Sequence, residues 1–150
     1  NITNNLVNTS GTSTNEGVRL DTSANDTIVL NNTINSGGSG SDNRGIRVVT
    51  RNYRNNITHN RVLSRGTAGN LAVDLDTDVG FTVVEYNNLT TNGTSTDNYG
   101  ARVITRSGNN NITNNVVFTN GTSANYGFNI ATDSNQTTVS GNTITTTGSS

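Results

Sequence analysis

The stretch NITNNLVNTSGTSTNEGVRL at residues 1–20 returns as NITHNRVLSRGTAGNLAVDL at 56–75 and as NITNNVVFTNGTSANYGFNI at 111–130. The chain therefore repeats every 55 residues (1 to 56, 56 to 111) without a gap. Internal repetition is read before any local propensity, because a fixed period of this size marks a stacked architecture. The units are 1–55, 56–110 and a partial third, 111–150, within one 150-residue segment.

A finer repeat lies inside each unit. Ile2, Val29, Ile57, Val84, Ile112 and Val139 follow one another at spacings of 27 and 28 residues in alternation. Asn5, Asn32, Asn60, Asn87, Asn115 and Asn142 stand three residues later, with Val7, Ile34, Val62, Leu89, Val117 and Ile144 two further on. Glycine recurs at Gly11, Gly38, Gly66, Gly93, Gly121 and Gly148. Leu20, Val48, Leu75, Val103 and Ile130 form another apolar column, and Thr22, Thr50, Thr77, Thr105 and Thr132 a hydroxyl one. Columns of one chemical type arise when each residue sits above its counterpart one coil below, at the ~4.8 Å strand spacing. Period-two alternation in Val18–Thr22, Ile46–Thr50 and Val73–Thr77 predicts strands rather than helices. The expected fold is an all-β, right-handed parallel β-helix of 27 to 28 residues per coil.

The Asn column has a physical reading. Asparagine tolerates a left-handed bend, and its amide both donates and accepts, so stacked copies can run a hydrogen-bonded ladder along the axis. A one-residue slip would turn every apolar column outward.

Composition narrows the classes. Hydrophobic residues are 29% and charged residues 13%, with a net charge of -1, which predicts an ordered chain with a thin core rather than a charge-driven disordered one. There is no Cys, hence no disulfide framework and no thiolate metal site. No apolar run approaches the ~20 residues of a membrane helix. All nine basic residues are Arg, interspersed with ten acids, and no basic stripe points to nucleic acid. The absence of an initiating Met is what a processed or excised segment would show.

The pattern Asn-Ile-Thr-x-Asn-x-Val at Asn1–Val7, followed by Gly17–Leu20 and again by Gly45–Val48, resembles the right-handed parallel β-helix repeat family. That family includes pectin-lyase-like enzymes, NosD-like proteins and many surface proteins. The resemblance covers essentially the whole chain and implies the fold, while the motif describes coil geometry rather than a site. The coil is longer than is usual in that family, which places extra residues in the loop around NTSGTSTNEG.

If Val18, Leu20 and Thr22 point inward, alternation sends Arg19, Asp21 and Ser23 outward. Stacking then aligns Arg19-Asp21-Ser23, Arg47-Val49-Arg51, Asp74-Asp76-Asp78, Arg102-Ile104-Arg106 and Asn129-Ala131-Asp133 on an exposed face. Asp74, Asp76 and Asp78 are the one calcium candidate, since calcium takes clustered oxygen ligands. The structural reading is that Asp74 answers Arg47 and Arg102, and Asp78 answers Arg51 and Arg106, in exposed pairs worth ~0 to 1 kcal/mol each. Asp76, between Val49 and Ile104, has no partner in its column. No catalytic or cofactor-binding residue is assigned, and no cofactor is expected.

His59, the only histidine, sits in the bend column Asn4, Asn31, His59, Tyr86, Asn114 and is expected to be a solvated turn residue. The columns Thr9, Ser36, Ser64, Thr91, Thr119, Thr146 and Thr12, Ser39, Thr67, Thr94, Thr122, Ser149 raise the idea of an ice-binding array. They are expected to flank a loop glycine rather than to lie on a flat strand, which counts against it. Asn-x-Ser/Thr sequons at Asn1, Asn8, Asn25, Asn31, Asn56, Asn88, Asn92, Asn111, Asn120 and Asn135 are glycosylation candidates, which would imply an extracellular location.

The functional expectation is a structural or adhesive solenoid at a cell surface: a stalk, sheath or filament segment that stacks head to tail or lies within a longer β-helix. Its expected partners are further coils or copies of itself, and carbohydrate. The alternative is a carbohydrate-binding module or an enzyme, a pectin-lyase-like polysaccharide lyase or epimerase. An enzyme would need one coil to break the column pattern. Neither end reads as a cap, so further coils are expected to cover both.

Overall fold

In the computed structural model, which describes residues 1–148, seventeen strands and no helix form a parallel β-solenoid. One coil illustrates them all: Ile28–Leu30, then Thr33–Gly38, then Arg44–Val49. Each segment pairs only with its counterparts in the coils before and after, which gives two six-stranded sheets and one five-stranded sheet, all parallel. The register is that of the sequence columns, with Val29 opposite Ile2 and Ile57, Ile34 opposite Val7 and Val62, and Val48 opposite Leu20 and Leu75. Ser149, placed in a hydroxyl column by its sequence position, lies outside the described residues.

The three sheets enclose one narrow core. Val29, Ile57, Val84 and Ile112 fill it from the first sheet, Ile34, Val62, Leu89 and Val117 from the second, and Ile46, Val48, Val73, Leu75 and Val103 from the third. All are essentially without solvent contact. Apolar burial of this kind stabilises by roughly 1.5 to 3 kcal/mol per side chain, so a thin core suffices when each coil repeats it.

The Asn column lies inside the corner between the first and second sheets. The Oδ1 of Asn87 accepts the backbone N–H of Asn60 at 2.8 Å and its Nδ2 at 3.0 Å, and the same pair of bonds links Asn5 to Asn32, Asn32 to Asn60, Asn87 to Asn115 and Asn115 to Asn142. The left-handed bend, which the sequence reading assigned to the ladder itself, belongs to the residue before it: Asn4, Asn31, His59, Tyr86 and Asn114 all have φ between 53° and 59°. The ladder residues are thereby free to aim their amides inward.

A second ladder, absent from the sequence reading, occupies the corner between the second and third sheets. Asn15 donates through Nδ2 to Asn43 Oδ1 at 2.7 Å, and the chain of bonds continues to Asn70, Asn98 and Asn125. It explains the glycine column. A Cβ on Gly11 would lie 2.5 Å from Asn15 Oδ1, and one on Gly66 2.2 Å from Asn43 Nδ2. This corner also sets the 27/28 alternation, because asparagine follows glycine by four positions at Gly11–Asn15 and Gly66–Asn70 but by five at Gly38–Asn43 and Gly93–Asn98. The third corner is capped less regularly: Asn55 Oδ1 accepts from the Thr27 backbone N–H, and Asn110 Oδ1 from that of Thr82, each at 2.9 Å.

Two expectations are corrected. The Thr22 column does not point inward. Thr22, Thr50, Thr77, Thr105 and Thr132 have φ between 35° and 63°, as do Ser23, Arg51, Asp78, Arg106 and Asp133 at 55° to 64°, so the strand face ends before them. Coil-to-coil bonds such as Arg51 N–H to Thr77 O at 3.1 Å hold these left-handed pairs in place. The Thr9 column, in turn, lies within the strands of the second sheet and faces inward. Ser36, Ser64, Thr91 and Thr119 are buried, and Ser64 Oγ donates to the Asn43 carbonyl at 2.6 Å.

Candidate functional site

The outer face of the third sheet carries the charged rows, in the order the columns predict. Arg19, Arg47, Asp74, Arg102 and Asn129 stand in one ladder, and Asp21, Val49, Asp76 and Ile104 in the next. Just before them the sheet opens with Glu16, Arg44, Leu71, Tyr99 and Tyr126, also in register. The pairing passes over Gly17 and its counterparts, a local break that lets Gly17 and Val18 both approach the core while Glu16 and Arg19 stay outside.

Asp74 is not the exposed residue expected. It is fully buried, because long arginine side chains from both neighbouring coils lie over it. Arg102 Nε and Nη2 donate to Oδ1 and Oδ2 at 2.9 and 3.0 Å, and Arg44 Nε donates to Oδ2 at 2.9 Å. Arg47 Nε stands 3.6 Å from Oδ2. Arg44 lay outside the columns singled out in the sequence, since it reaches Asp74 along a diagonal of the sheet.

Asp76 is corrected as well. Its column neighbours are apolar, but Arg47 Nη2 reaches it at 3.4 Å and Thr77 Oγ1 donates to it at 2.9 Å. Arg47 also bonds Glu16 at 2.9 Å, and Glu16 bonds Arg19 at 3.1 Å, which in turn contacts Asp21 at 2.9 Å. Four coils are thus tied by one chain of alternating charges. Burial works against the charge of Arg102, but the hydrogen bond and charge of Asp74 outweigh it and hold the guanidinium above its ordinary pKa. Burial likewise opposes ionisation of Glu16, and Arg47 and Arg19 nonetheless keep its carboxyl below the usual range.

Asp78 pairs with Arg106 at 2.8 and 3.1 Å, as its column predicted, in the bend rather than on the strand face. Of the calcium candidate, Asp74 and Asp76 share Arg47 on the strand face and Asp78 turns away into the bend, and each of the three is already engaged by a guanidinium. Among the described residues no group of three or more His, Cys, Asp or Glu side chains could hold a metal ion. With both Asp74 oxygens occupied, the cluster works chemically as a clamp between coils.

His59 is exposed at the first corner, where Thr58 Oγ1 lies 2.7 Å from its Nδ1 and its ring packs 5.3 Å from that of Tyr86. Of the sequon asparagines, Asn1, Asn8, Asn25, Asn31, Asn88, Asn92, Asn111 and Asn135 are exposed, whereas Asn56 and Asn120 are half-buried. Among the described residues no helix is long and apolar enough to cross a membrane.

Compared with family models, curated proteins and solved structures, the chain matches none of them. The parallel solenoid rests on its own ladders and register.

Proposed function

We propose that this chain is a structural solenoid segment, a stalk, sheath or filament piece at a cell surface, lengthened by coil stacking on coil. One observation carries the reading: the apolar columns stay in register from Ile2 to Val139 and from Val7 to Ile144, and core residues lose solvent contact where another coil packs on them. Ile130, Val139 and Ile144 are 40%, 39% and 46% exposed, whereas Val103, Ile112 and Val117 one coil before are at most 1%. The unbroken 55-residue period makes the faces of coils two apart congruent, so the same packing serves a coil of this chain or of another. A contact between unlike ends that does not close on itself builds a filament, and the same surface serves equally for further coils of one chain. The engaged state of Asp74 and Asp76 supports a scaffold over a lyase or epimerase, which needs an unpaired acid or base facing its substrate. The resemblance to pectin-lyase-like and NosD-like proteins is one of coil pattern.

The test is light scattering with size exclusion, and electron microscopy, on the 150-residue chain and on a Val139→Asp/Ile144→Asp variant. Elongated assemblies that the variant loses are expected. A stable, soluble monomer for the parent chain, with no elongated species, would overturn the proposal.

A further inference from the structure

The corner between the third and first sheets presents a polar side chain at its tip in every described coil but one. Its outermost column reads Asp26, Arg54, Phe81, Asn109, Gln136, and all five have left-handed φ, from 54° to 57°. Phe81 is 59% exposed. A bulky side chain is disfavoured in that region of φ, and a ring left in water recovers none of the cost by burial. One residue earlier the column reads Asn25, Tyr53, Gly80, Gly108, Asn135. Two successive glycines there leave a hollow of about 360 Å³ between the Tyr53 ring on one side and Asn135 on the other. Tyr53 leans over its floor, with Cδ1 3.2 Å from where a Gly80 Cβ would stand.

We propose that this hollow is a saccharide-binding site that takes a neutral hexopyranose unit of a glycan chain. A pyranose ring has an apolar C–H face and a rim of hydroxyls that each donate and accept. The first matches the Tyr53 and Phe81 rings, which offer apolar area at little conformational cost. The second matches the amides of Asn109, Asn135 and Gln136, which line the same hollow and can donate and accept. Charge decides between neutral and acidic sugars. Arg106 lines the site beside Asp133, whose charge it feels, and is held by Asp78 at 2.8 and 3.1 Å, so the lining offers no guanidinium free to pair with an acidic sugar. A uronate would have to be desolvated without a cation to receive it, and a neutral sugar needs none. The site lies on the flank of the solenoid, so it does not depend on end-to-end stacking.

The experiment is an NMR titration of the chain with cellohexaose, maltohexaose, β-1,4-galactohexaose and hexagalacturonate, reading the ring resonances of Tyr53 and Phe81. Saturable shifts at both rings are expected with at least one neutral hexasaccharide, and weaker or no shifts with the uronate. Phe81→Asn places in the bend a residue suited to left-handed φ. It is expected to raise the Tm while weakening binding about tenfold or more, a combination that loss of folding cannot mimic. Gly80→Ala fills the floor against Tyr53 and the Gly108 carbonyl at 3.2 Å each and is expected to abolish binding with the fold retained by circular dichroism. No response of these rings to any neutral hexasaccharide, tighter binding of the uronate, or binding unchanged in both variants would overturn the proposal, and each result reads independently of assembly.

Discussion

Arg102 grips Asp74 through two parallel hydrogen bonds, Nε to Oδ1 at 2.9 Å and Nη2 to Oδ2 at 3.0 Å, across adjacent coils. The carboxylate is fully buried, and Arg44 from the coil on its other side donates to Oδ2 as well. Removing the shared carboxylate leaves the largely buried Arg44 and Arg102 guanidiniums without the counter-ion that holds them, and breaking a buried pair typically costs about 3 to 5 kcal/mol. Asp74→Ala is expected to fall in that range by urea denaturation. Asp78→Ala, whose partner Arg106 is 62% exposed, is expected to cost at most about 1 kcal/mol. Equal losses in the two variants would mean the Asp74 clamp is no stronger than a surface pair.

The ladder makes a separate prediction. Asn60 is buried, accepts two N–H groups from Asn32 and donates its own to Asn87. Asn60→Ala strands those donors away from water and is expected to cost about 1 to 3 kcal/mol. Asn5→Ala at the exposed first coil should cost less, because water replaces the lost amide there. An unchanged denaturation midpoint for Asn60→Ala would show that the amide column contributes nothing net.

Gly45 and Val62 test the packing between the second and third sheets. A Cβ on Gly45 would lie 2.0 Å from Val62 Cγ1, and the equivalent contacts are Gly17 with Ile34, Gly100 with Val117 and Gly127 with Ile144. Each facing residue is β-branched. In the one coil where this column holds Ala72, the equivalent position is Leu89, whose Cβ carries a single γ carbon. Gly45→Ala is expected to destabilise by roughly 1 to 3 kcal/mol through overpacking, and addition of Val62→Leu to restore part of it. Strict additivity of the two changes would disprove the coupling.

Acid should loosen the solenoid in a defined window. Arg106 holds Asp78, and Arg54 holds Asp26, below the ordinary carboxylate pKa of 3.8, while Arg47 and Arg19 keep Glu16 below 4.5 against the effect of burial. A carboxylate with a depressed folded pKa contributes stability that is present above its unfolded value and lost as pH falls through the folded one. Stability is therefore expected to be flat above about pH 5 and to decline below about pH 4. Glu16→Gln and Asp78→Asn together should shallow that decline. An acid limb identical to the parent's would show that these pairs do not govern it.

Registration along the axis was legible in the residues alone. A solenoid is a one-dimensional stack in which each column must satisfy itself, so Ile2 to Val139 and Asn5 to Asn142 report the period, the parallel pairing and the first ladder without any knowledge of neighbours. The second ladder is written in the sequence in the same way, as the column Asn15, Asn43, Asn70, Asn98 and Asn125. What lay beyond the sequence was direction at the corners and reach across columns. Alternation places a side chain in or out only while the strand continues, and at Thr22–Ser23 and its counterparts φ changes sign, so the rule that put Thr22 inside fails. The Thr9 column faces inward, buried at Ser36, Ser64, Thr91 and Thr119, because its strand runs up to the glycine before the corner begins. Asp74 stands in an outward column and is nonetheless buried, because Arg102 of its own column is joined by Arg44, which is long enough to fold over it along a diagonal that a column count does not contain. The hollow beneath Tyr53 and Phe81 has the same origin: two glycines matter there only because the bend brings a ring from one coil over the bare backbone of the next.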